Sequence, residues 1–298
     1  MKKRIKIGIA IVATLFGLII VWGFIEPYLI DVQEEEAVIT NLPSELEGKK
    51  IVVIGDFQVG LWMDNLSTTE RIVEDVIEME PSAILITGDY LYHVESMDDQ
   101  VIDEIMNAMS PLVESGIPVY SVLGNHDYTM ASQEVEPNIE LAEGLSDALS
   151  SLGIRMLDNE NDVLVEGENP SENFYIVGIG SHWAENDLPE EAFEGVTEEA
   201  PRLVLMHNPD SFRNLEANSA PLAVAGHTHG GQIRTPFSSN WSYLSLAQGG
   251  EVTADGWIED YGSEENNLYV NRGIGMSIVP MRINAVPEIT VFTLTSND

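Results

Sequence analysis

Cysteine is absent from this chain of 298 residues. Without thiols the protein forms no disulfide bond and holds no thiolate-bound zinc or iron. Any metal ion that it binds must therefore be coordinated by carboxylates, amide oxygens or imidazoles. The hydrophobic fraction of 44% is ordinary for a globular protein, so the chain is long and apolar enough to bury a sizeable core.

Basic residues are scarce: 13 lysines and arginines stand against 50 aspartates and glutamates, a formal net charge of −37 at pH 7. Four basic residues and one acidic residue precede position 27, which leaves 9 basic and 49 acidic residues in 27–298. Such a surface repels nucleic acid, so we expect no DNA or RNA partner. Two explanations stay open: adaptation to a saline medium, which screens the repulsion, and a cationic partner. No localised motif supports the second, and no protein partner is evident.

The first 30 residues form a separate module. Four basic residues within the first six positions precede an uncharged apolar run over residues 7–25. As a helix this run nearly matches the ~30 Å hydrocarbon core of a bilayer. We predict an uncleaved signal anchor over residues 1–30, with Trp22 and Phe24 at the membrane interface; a cleaved signal peptide is the alternative. The positive-inside rule then predicts a single-pass protein of the cell membrane with its remainder on the extracytoplasmic side.

After a predicted polar linker over residues 31–48, the pattern predicts one α/β domain over residues 49–298. Apolar runs of strand length alternate there with amphipathic helical patterns. Predicted strands lie at 50–55, 83–87, 118–123, 153–157, 162–166, 174–178, 202–206, 222–225, 269–270 and 289–294. Predicted helices lie at 67–79, opened by a capping box at 67–70, and at 98–109 and 138–151. Residues 235–266 are predicted to be a long loop.

Polar side chains that can bind metal follow five of these strands. Open α/β sheets bind their ligands at the carboxyl ends of the strands, so we expect these side chains to meet at one edge. A single Asp or His after a strand is usually a turn former or structural, but five coincident cases favour a site. The residues are Asp56, Gln58, Asp89, Asn125, His126, His207, His227 and His229. Two divalent ions held this way can clamp the oxygens of a phosphoryl transfer.

The motifs that carry these residues resemble a known family. GDFQ (55–58), GD (88–89), GNHD (124–127), HNPD (207–210) and GHTHGGQ (226–232) resemble the calcineurin-like metallophosphoesterases, in the same order. HNPD, NRGIG (271–275) and PEI (287–289) further resemble its membrane-anchored bacterial branch, which includes pyrophosphatases of UDP-diacylglucosamine. The resemblance covers about residues 48–296. It implies a metallophosphoesterase-type β-sandwich flanked by helices, here preceded by one transmembrane helix.

The resemblance also implies an activity and a cofactor. The chain would hydrolyse phosphate esters or pyrophosphates outside the cytoplasmic membrane, acting on a phosphorylated small molecule or a lipid-linked or nucleotide-linked phosphodiester. One divalent ion (Mn, Fe, Zn, Mg or Co) would be held by Asp56, Gln58, Asp89 and His229. The other would be held by Asp89, Asn125, His207 and His227. The catalytic residue would be His126, which would protonate the leaving oxygen or stabilise charge in the transition state.

Two departures from the family pattern leave an alternative open. The family's D-x-H is Asp56-x-Gln58 here, so an amide replaces an imidazole. The second Asp of G-D-x-x-D falls on Tyr92, which removes the carboxylate that commonly orients the catalytic histidine. The alternative is therefore a catalytically impaired relative that acts as a binding or scaffold protein. The nearby His93 is as well explained as a surface-loop residue as by a supporting role.

Overall fold

The structure is a computed structural model, and it describes residues 2–235, 238–243, 254–258 and 261–297. Within these ranges the α-helices are α1 (Lys2–Gly23), α2 (Leu66–Glu78), α3 (Gln100–Glu114), α4 (Ile139–Leu152) and α5 (Pro189–Ala192). Of the helices in the described part of the chain, α1 has the length and apolar composition needed to cross a membrane, over Lys3–Tyr28. This agrees with the predicted transmembrane segment.

The ten predicted strands are present in the predicted order, with bounds that differ by a few residues, and the described residues contain four further strands. The first seven are β1 (Asp31–Val38), β2 (Lys50–Ile54), β3 (Ala83–Ile86), β4 (Val119–Ser121), β5 (Arg155–Met156), β6 (Glu160–Val165) and β7 (Phe174–Ile179). The next seven are β8 (Arg202–Met206), β9 (Ala223–Ala225), β10 (Arg234–Thr235), β11 (Ser238–Ser242), β12 (Gly256–Ile258), β13 (Leu268–Val270) and β14 (Glu288–Thr295). The four further strands are β1, β10, β11 and β12.

Two six-stranded sheets form a mixed α/β sandwich. The first sheet has the strand order β1-β14-β2-β3-β4-β5, and the second has the order β12-β13-β9-β8-β7-β6. In the first sheet β2, β3 and β4 are parallel, and in the second β7, β8 and β9 are parallel. The carboxyl ends of β2, β3 and β4 therefore meet at one edge, as do those of β8 and β9 in the other sheet.

The central strands are apolar on both faces because both faces are covered. Alternate side chains of a strand point to opposite faces. Ile51 and Val53 of β2 pack with Leu203 and Leu205 of β8 in the core between the sheets. Val52 and Ile54 of β2 belong to the second core, which is shared with helices α2, α3 and α4. This explains why β2 is a continuous β-branched run and not an alternating one.

The prediction of a polar linker over residues 31–48 is wrong for its first half. Residues Asp31–Val38 form β1, which pairs in parallel with β14 from Asp31 opposite Glu288 to Val38 opposite Thr295. The strand lies at the edge of its sheet, and every second side chain in its first six residues is exposed. Main-chain hydrogen bonds hold an edge strand, so it needs no apolar run. Because residues 34–36 are acidic, the sequence of this strand shows no apolar pattern from which it could be predicted.

Two smaller predictions also differ from the structure. The helix predicted at 67–79 begins at Leu66, and the residue at its N-cap is Asn65, so the proposed capping box at 67–70 lies inside the first turn. The long loop predicted at 235–266 contains β11 and β12 among its described residues. Residues 236–237, 244–253 and 259–260 of that predicted loop lie outside the described residues.

Candidate metal centre

The predicted site residues lie together where the two sheets present the ends of their parallel strands. Asp56 follows β2, Asp89 follows β3, and Asn125 follows β4. From the other sheet, His207 follows β8 and His227 follows β9. All but His227 are buried, and that histidine is half-buried. The strand-end prediction therefore identified residues that share one edge of the sandwich.

Two groups of three side chains have a geometry that could hold a cation. Asp89, His207 and His227 form one group, and Asp56, Asp89 and His229 form the other. In each group one ligand atom from every residue lies within 4.8 Å of the others. Because Asp89 belongs to both groups, its carboxylate lies between two adjacent positions that could hold metal ions.

The contacts around His207 bring oxygen and nitrogen donor atoms together at one point. Nδ1 of His207 lies 2.8 Å from the carbonyl oxygen of Thr87, so Nδ1 carries the ring proton and Nε2 is bare. The amide of Asn125 donates to Met130 O at 2.7 Å, which turns its Oδ1 toward His207 Nε2 at 3.0 Å. Asp89 Oδ2 lies 3.4 Å from the same nitrogen. Nδ1 of His227 lies 3.2 Å from it as well. Two oxygens and two imidazole nitrogens thus converge at this point, and such a donor set fits a divalent cation.

Burial sets the protonation of these groups in the protein alone. Burial raises the pKa of Asp56 to about 7 and holds the pKa of Asp89 well above its usual value, with the nearby carboxylates of Asp127 and Asp56 adding to the second shift. Burial also lowers the pKa of His207 to about 3 and the pKa of His229 well below its usual value. The imidazoles are thus neutral and free to donate a lone pair, and the carboxylates require a nearby positive charge to ionise easily.

The backbone at the site is held in an unfavourable conformation. Asp56, Gln58, Asp89, His227 and His229 all have positive φ values between 48° and 73°. Left-handed backbone is uncommon for residues other than glycine, and it concentrates at functional sites where the fold enforces it. The sharp turns after β2, β3 and β9 account for it here, since each turn redirects a side chain toward the edge between the sheets.

Neighbouring glycines let these turns approach one another. A Cβ atom placed on Gly124 would lie 2.1 Å from Asp89 Oδ1, and one on Gly226 would lie 2.4 Å from Asp56 Oδ2. Both distances are far below van der Waals contact. The glycines of the GNHD and GHTHGGQ motifs therefore make room for the two carboxylates.

The side chain of Gln58 contacts two members of the second group, Asp89 and His229. Its amide nitrogen is 2.6 Å from Asp89 Oδ2 and 3.5 Å from His229 Nε2, and Gln58 is fully buried. Its Oε1 has no hydrogen-bond partner among the described residues. A half-turn of the amide exchanges nitrogen for oxygen, which would place an acceptor beside Asp89 and His229. A buried amide oxygen without a partner is consistent with a cation at this position.

A main-chain carbonyl orients the ring of His126, in place of the aspartate carboxylate that position 92 lacks. Its Nδ1 lies 2.7 Å from the main-chain oxygen of Tyr92, and its ring stacks on the Tyr92 ring at a centroid distance of 5.2 Å. The carbonyl accepts the Nδ1 proton, so Nε2 keeps its lone pair. Burial lowers the pKa of His126 to about 4. His93 is exposed and is not among the partners of the His126 ring.

Sequence reasoning missed Asp127 as a supporting residue. This fully buried carboxylate accepts the main-chain N–H groups of Asp89 (2.9 Å), Tyr90 (2.9 Å), Leu91 (3.2 Å) and Gly124 (2.8 Å). It thereby ties the loop after β3 to the loop after β4. The aspartate in GNHD was the available signal, but its partners are main-chain groups that the sequence does not distinguish.

Arg282 is a second residue that the sequence analysis did not select. It is fully buried, and its guanidinium donates to the main-chain oxygens of Gly275 (2.6 Å) and Ala285 (2.9 Å). One guanidinium nitrogen also lies 3.4 Å from Nδ1 of His229. The available signal was its rarity, because it is one of only nine basic residues after position 26.

Comparison with known proteins agrees with this geometry. The profile of the calcineurin-like phosphoesterase family matches residues 49–231. The chain is 31% identical to the phosphodiesterase YaeI of Escherichia coli over 245 residues, which is 82% of each chain. It is 26% identical to the uncharacterized metallophosphoesterase YkuE of Bacillus subtilis over 278 residues, 92% of this chain and 89% of that protein. It is 23% identical to the UDP-2,3-diacylglucosamine pyrophosphatase LpxG of Chlamydia muridarum over 312 residues, 91% of both chains.

Proposed function

We propose that this chain, which belongs to the calcineurin-like phosphoesterase family, hydrolyses a phosphodiester or pyrophosphate with two divalent metal ions. The family is one of metal-dependent phosphoric ester hydrolases. The observation that carries the number of ions is Asp89, which belongs to both groups of converging side chains. A carboxylate shared in this way is what a pair of adjacent ions requires.

Each ion has four proposed protein ligands. The first set is Asp56, Gln58, Asp89 and His229, and the second set is Asp89, Asn125, His207 and His227. When bound, the ions supply charge neutralisation for the phosphate and activation of a water molecule. The donors are oxygens and neutral imidazoles, so Mn, Fe, Zn, Mg and Co all remain suitable ions.

The catalytic residue that we propose is His126. The Tyr92 carbonyl holds its Nδ1 proton, so Nε2 is the atom that can hydrogen-bond to a phosphate or receive and return a proton. Its main-chain N–H donates to Asp89 Oδ1 at 2.9 Å, which fixes the ring next to the shared carboxylate. A nearby phosphate raises the pKa of an imidazole, so a bound substrate favours the protonated form that can assist the leaving oxygen.

The relatives guide the choice of substrate class. One is named a phosphodiesterase and another a pyrophosphatase of UDP-2,3-diacylglucosamine. We therefore propose a phosphorylated small molecule or a lipid-linked or nucleotide-linked phosphodiester as the substrate. The basic residues before α1 support a catalytic domain on the extracytoplasmic side of a single-pass protein.

The competing function is that of an impaired relative which binds a partner and does not catalyse. Gln58 and Tyr92 are the residues that favour it. The contact between His126 and the Tyr92 carbonyl weakens this alternative, because that carbonyl takes the place of the missing carboxylate as acceptor of the Nδ1 proton.

Turnover separates the two functions. The full chain would be loaded with Mn²⁺ and assayed with bis-p-nitrophenyl phosphate, and then with phosphomonoesters and pyrophosphates. We expect the wild type to hydrolyse at least one of these substrates and Asp89→Asn to have no activity. Asp158→Asn, which exchanges a carboxylate outside the site, should keep the wild-type activity. Metal-loaded protein without turnover of any ester would support the binding or scaffold function.

A further inference from the structure

The end of the apolar helix α1 is fixed to the rest of the protein by hydrogen bonds. The N–H of Arg282 donates to Gly23 O at 2.9 Å, and the N–H of Ala285 donates to the carboxylate of Glu26 at 2.6 Å. Trp22 donates its indole N–H to the same carboxylate at 2.6 Å. Glu26 is only 1% exposed, although it comes directly after the apolar run.

The residues that follow Glu26 continue this attachment. Asn65 donates its side-chain amide to Pro27 O at 3.3 Å, and Arg71 donates to Tyr28 O at 2.6 Å. The N–H of Asp31 then donates to Pro287 O at 2.9 Å, where β1 begins. No free segment separates the helix from the domain, so the orientation of one sets the orientation of the other.

Strand register places this attachment at the edge that carries the candidate metal centre. Asp31 of β1 is opposite Glu288 of β14, and Thr290 of the antiparallel β14 is opposite Val53 of β2. The start of β1 is therefore level with the end of β2, which lies two residues before Asp56, with β14 between the two strands. A membrane that surrounds α1 consequently lies on the same side of the domain as the metal ligands.

Two turns at this edge expose large apolar side chains. Trp62 is 63% exposed, Met63 is 56% exposed, and Ile278 is 50% exposed. Among the described residues after position 38, these are the three most exposed large hydrophobic side chains. Met63 and Ile278 also have φ values of 58° and 66°, and positive φ is a genuine outlier for a β-branched residue. The fold thus holds both side chains outward at a conformational cost.

The first turn connects a proposed metal ligand with the end of α1. The N–H of Leu61 donates to Gln58 O at 3.4 Å, and Asp64 closes the turn by accepting the N–H of Gly60 at 2.9 Å. Asn65, the next residue, bonds to Pro27 as described above. Trp62 and Met63 therefore lie in the segment that joins the metal centre to the end of the membrane helix.

The second turn makes an equivalent connection. Gln232 lies three residues after His229, and its side chain donates to the oxygens of Ser277 and Val279 at 2.7 and 2.8 Å and accepts the N–H of Ser277. Arg282 ends the turn with its bond to Gly23. Ile278 lies at the tip of this segment.

Both segments that carry these side chains are free of acidic residues. The chain has no acidic residue between Asp56 and Asp64, and none between Glu265 and Glu288. The two stretches that carry the exposed apolar side chains therefore add no repulsion of their own toward an anionic membrane surface.

We propose that Trp62, Met63 and Ile278 contact the surface of the bilayer in which α1 is embedded, so that the candidate metal centre faces the membrane. Apolar and aromatic side chains next to a membrane helix favour the interface between headgroups and acyl chains. The contact is continuous with the helix itself. The substrate class that follows, and that rests on the proposed function, is a phosphate or pyrophosphate ester whose apolar part stays in that bilayer.

The absence of cysteine makes the contact directly measurable. Single variants Met63→Cys and Ile278→Cys of the full chain would carry a nitroxide label in phosphatidylcholine vesicles. Val38→Cys is the matched control, because Val38 is 44% exposed and lies at the far end of β1, roughly 23 Å from its start. We expect the labels at 63 and 278 to be accessible to oxygen and shielded from an aqueous nickel chelate, and the label at 38 to show the reverse. Labels at 63 and 278 as open to the nickel chelate as the control would overturn the proposal.

Substrate location supplies an independent test. The full chain in vesicles would be given two nitrophenyl phosphodiesters that differ only in a methyl or a hexadecyl chain. We expect a higher kcat/KM for the hexadecyl ester, and an about tenfold loss of that preference in the triple variant Trp62→Ser, Met63→Ser, Ile278→Ser. Turnover of the methyl ester should stay unchanged, and Val38→Ser should change neither rate. An equal preference in the wild type and the triple variant would contradict the proposal.

The label-accessibility experiment and the turnover experiment test different claims, so either can fail without the other. If the metal-loaded chain hydrolyses neither ester and no pyrophosphate, the proposed function is wrong, whereas the label accessibilities still decide the membrane contact. If the methyl ester is hydrolysed and the labels at 63 and 278 are aqueous, the catalytic function stands and the membrane contact is wrong.

Discussion

The main-chain oxygen of Tyr92 lies 2.7 Å from Nδ1 of His126, at the position where the family pattern has the carboxylate of an aspartate. A carbonyl oxygen accepts the imidazole proton as a carboxylate does, but it carries no full negative charge. It therefore fixes the tautomer of His126 without strongly favouring the imidazolium form. The burial that lowers the pKa of His126 to about 4 is consequently not opposed by a neighbouring anion.

This contact makes opposite predictions for two substitutions of the same residue. Tyr92→Phe keeps the carbonyl and the stacked ring, so kcat and its pH profile should stay unchanged. Tyr92→Asp introduces a carboxylate and should raise the pKa of His126 and move the His126-dependent limb of the kcat profile toward higher pH.

His126→Ala should retain the metal ions and slow turnover ~10²-fold or more. Normal turnover by His126→Ala would remove its catalytic role.

Asp89 is predicted to be the most sensitive position for metal content. Asp89→Asn replaces the shared carboxylate by a neutral amide, so both proposed ions should be lost together with activity. Elemental analysis of the full chain after loading should fall from about two ions to well below one. Asp158→Asn, at a half-buried carboxyl outside the two groups, is the matched control. Retention of both ions by Asp89→Asn would show that this carboxylate does not bridge them.

Gln58 predicts the metal preference of one site. An amide oxygen is a harder and weaker donor than an imidazole, so the native site should favour Mn²⁺ or Mg²⁺ over Zn²⁺. Gln58→His should tighten Zn²⁺ binding at that site, measured by competition with a zinc chelator. Gln100→His, at an exposed position at the start of α3, controls for the added histidine. An unchanged zinc affinity in Gln58→His would mean that residue 58 does not bind the ion.

Metal binding should release protons in a defined range of pH. In the protein alone, burial raises the pKa of Asp56 to about 7, so this carboxyl is largely protonated at pH 6 and ionised at pH 8.5. The histidines of the site have lowered pKa values and are already neutral at pH 6. A cation must displace the Asp56 proton, so calorimetric titrations with Mn²⁺ at pH 6 should depend on the ionisation enthalpy of the buffer. Asp89, whose pKa burial also raises, adds to the proton release wherever it is protonated. At pH 8.5 the contribution of Asp56 is lost, so the dependence should be smaller, and equal proton release at both values would contradict the assignment.

Net charge predicts a response to salt. The 49 acidic and 9 basic residues after position 26 repel one another in the folded protein, and the repulsion reaches ~30 Å at 0.01 M salt but only ~3 Å at 1 M. The melting temperature should therefore be lower in 0.01 M than in 1 M salt at constant metal content. Turnover of an anionic substrate below saturation should also rise with salt. Equal melting temperatures in the two salts would exclude adaptation to a saline medium.

The sequence predicted which residues come together at the candidate site, but it did not predict the residues that hold them in place. Asp56, Asp89 and His207 were selected because each follows an apolar run, and parallel strands bring such positions to one edge. The roles of Asp127 and Arg282 could not be predicted, because their partners are main-chain groups that only the tertiary fold brings near. For all the residues of the candidate site, the assignment as metal ligand or as catalytic group remains a prediction.

The fold was predictable where side chains determine it. The runs that form β2 and β8 are β-branched or apolar throughout because both of their faces are buried, and this pattern is visible in the sequence. The acidic strand β1 was not predictable, since its stability comes from main-chain hydrogen bonds to β14. The hydrogen bond from the Asn65 side chain to Pro27 O was not predictable either, because the attachment of α1 brings these two residues together.

The pairing of β1 with β14 affects how the protein is made. Glu288 of β14 is synthesised 257 residues after its partner Asp31 of β1 (288 − 31 = 257). β2 also pairs with β14, so both strands keep an unpaired edge until the last strand is available. Contacts between residues so distant in sequence form late, and unpaired edges are prone to wrong association. The first sheet is therefore completed only after the chain has been synthesised as far as Thr295, long after α1 and β1 have been made.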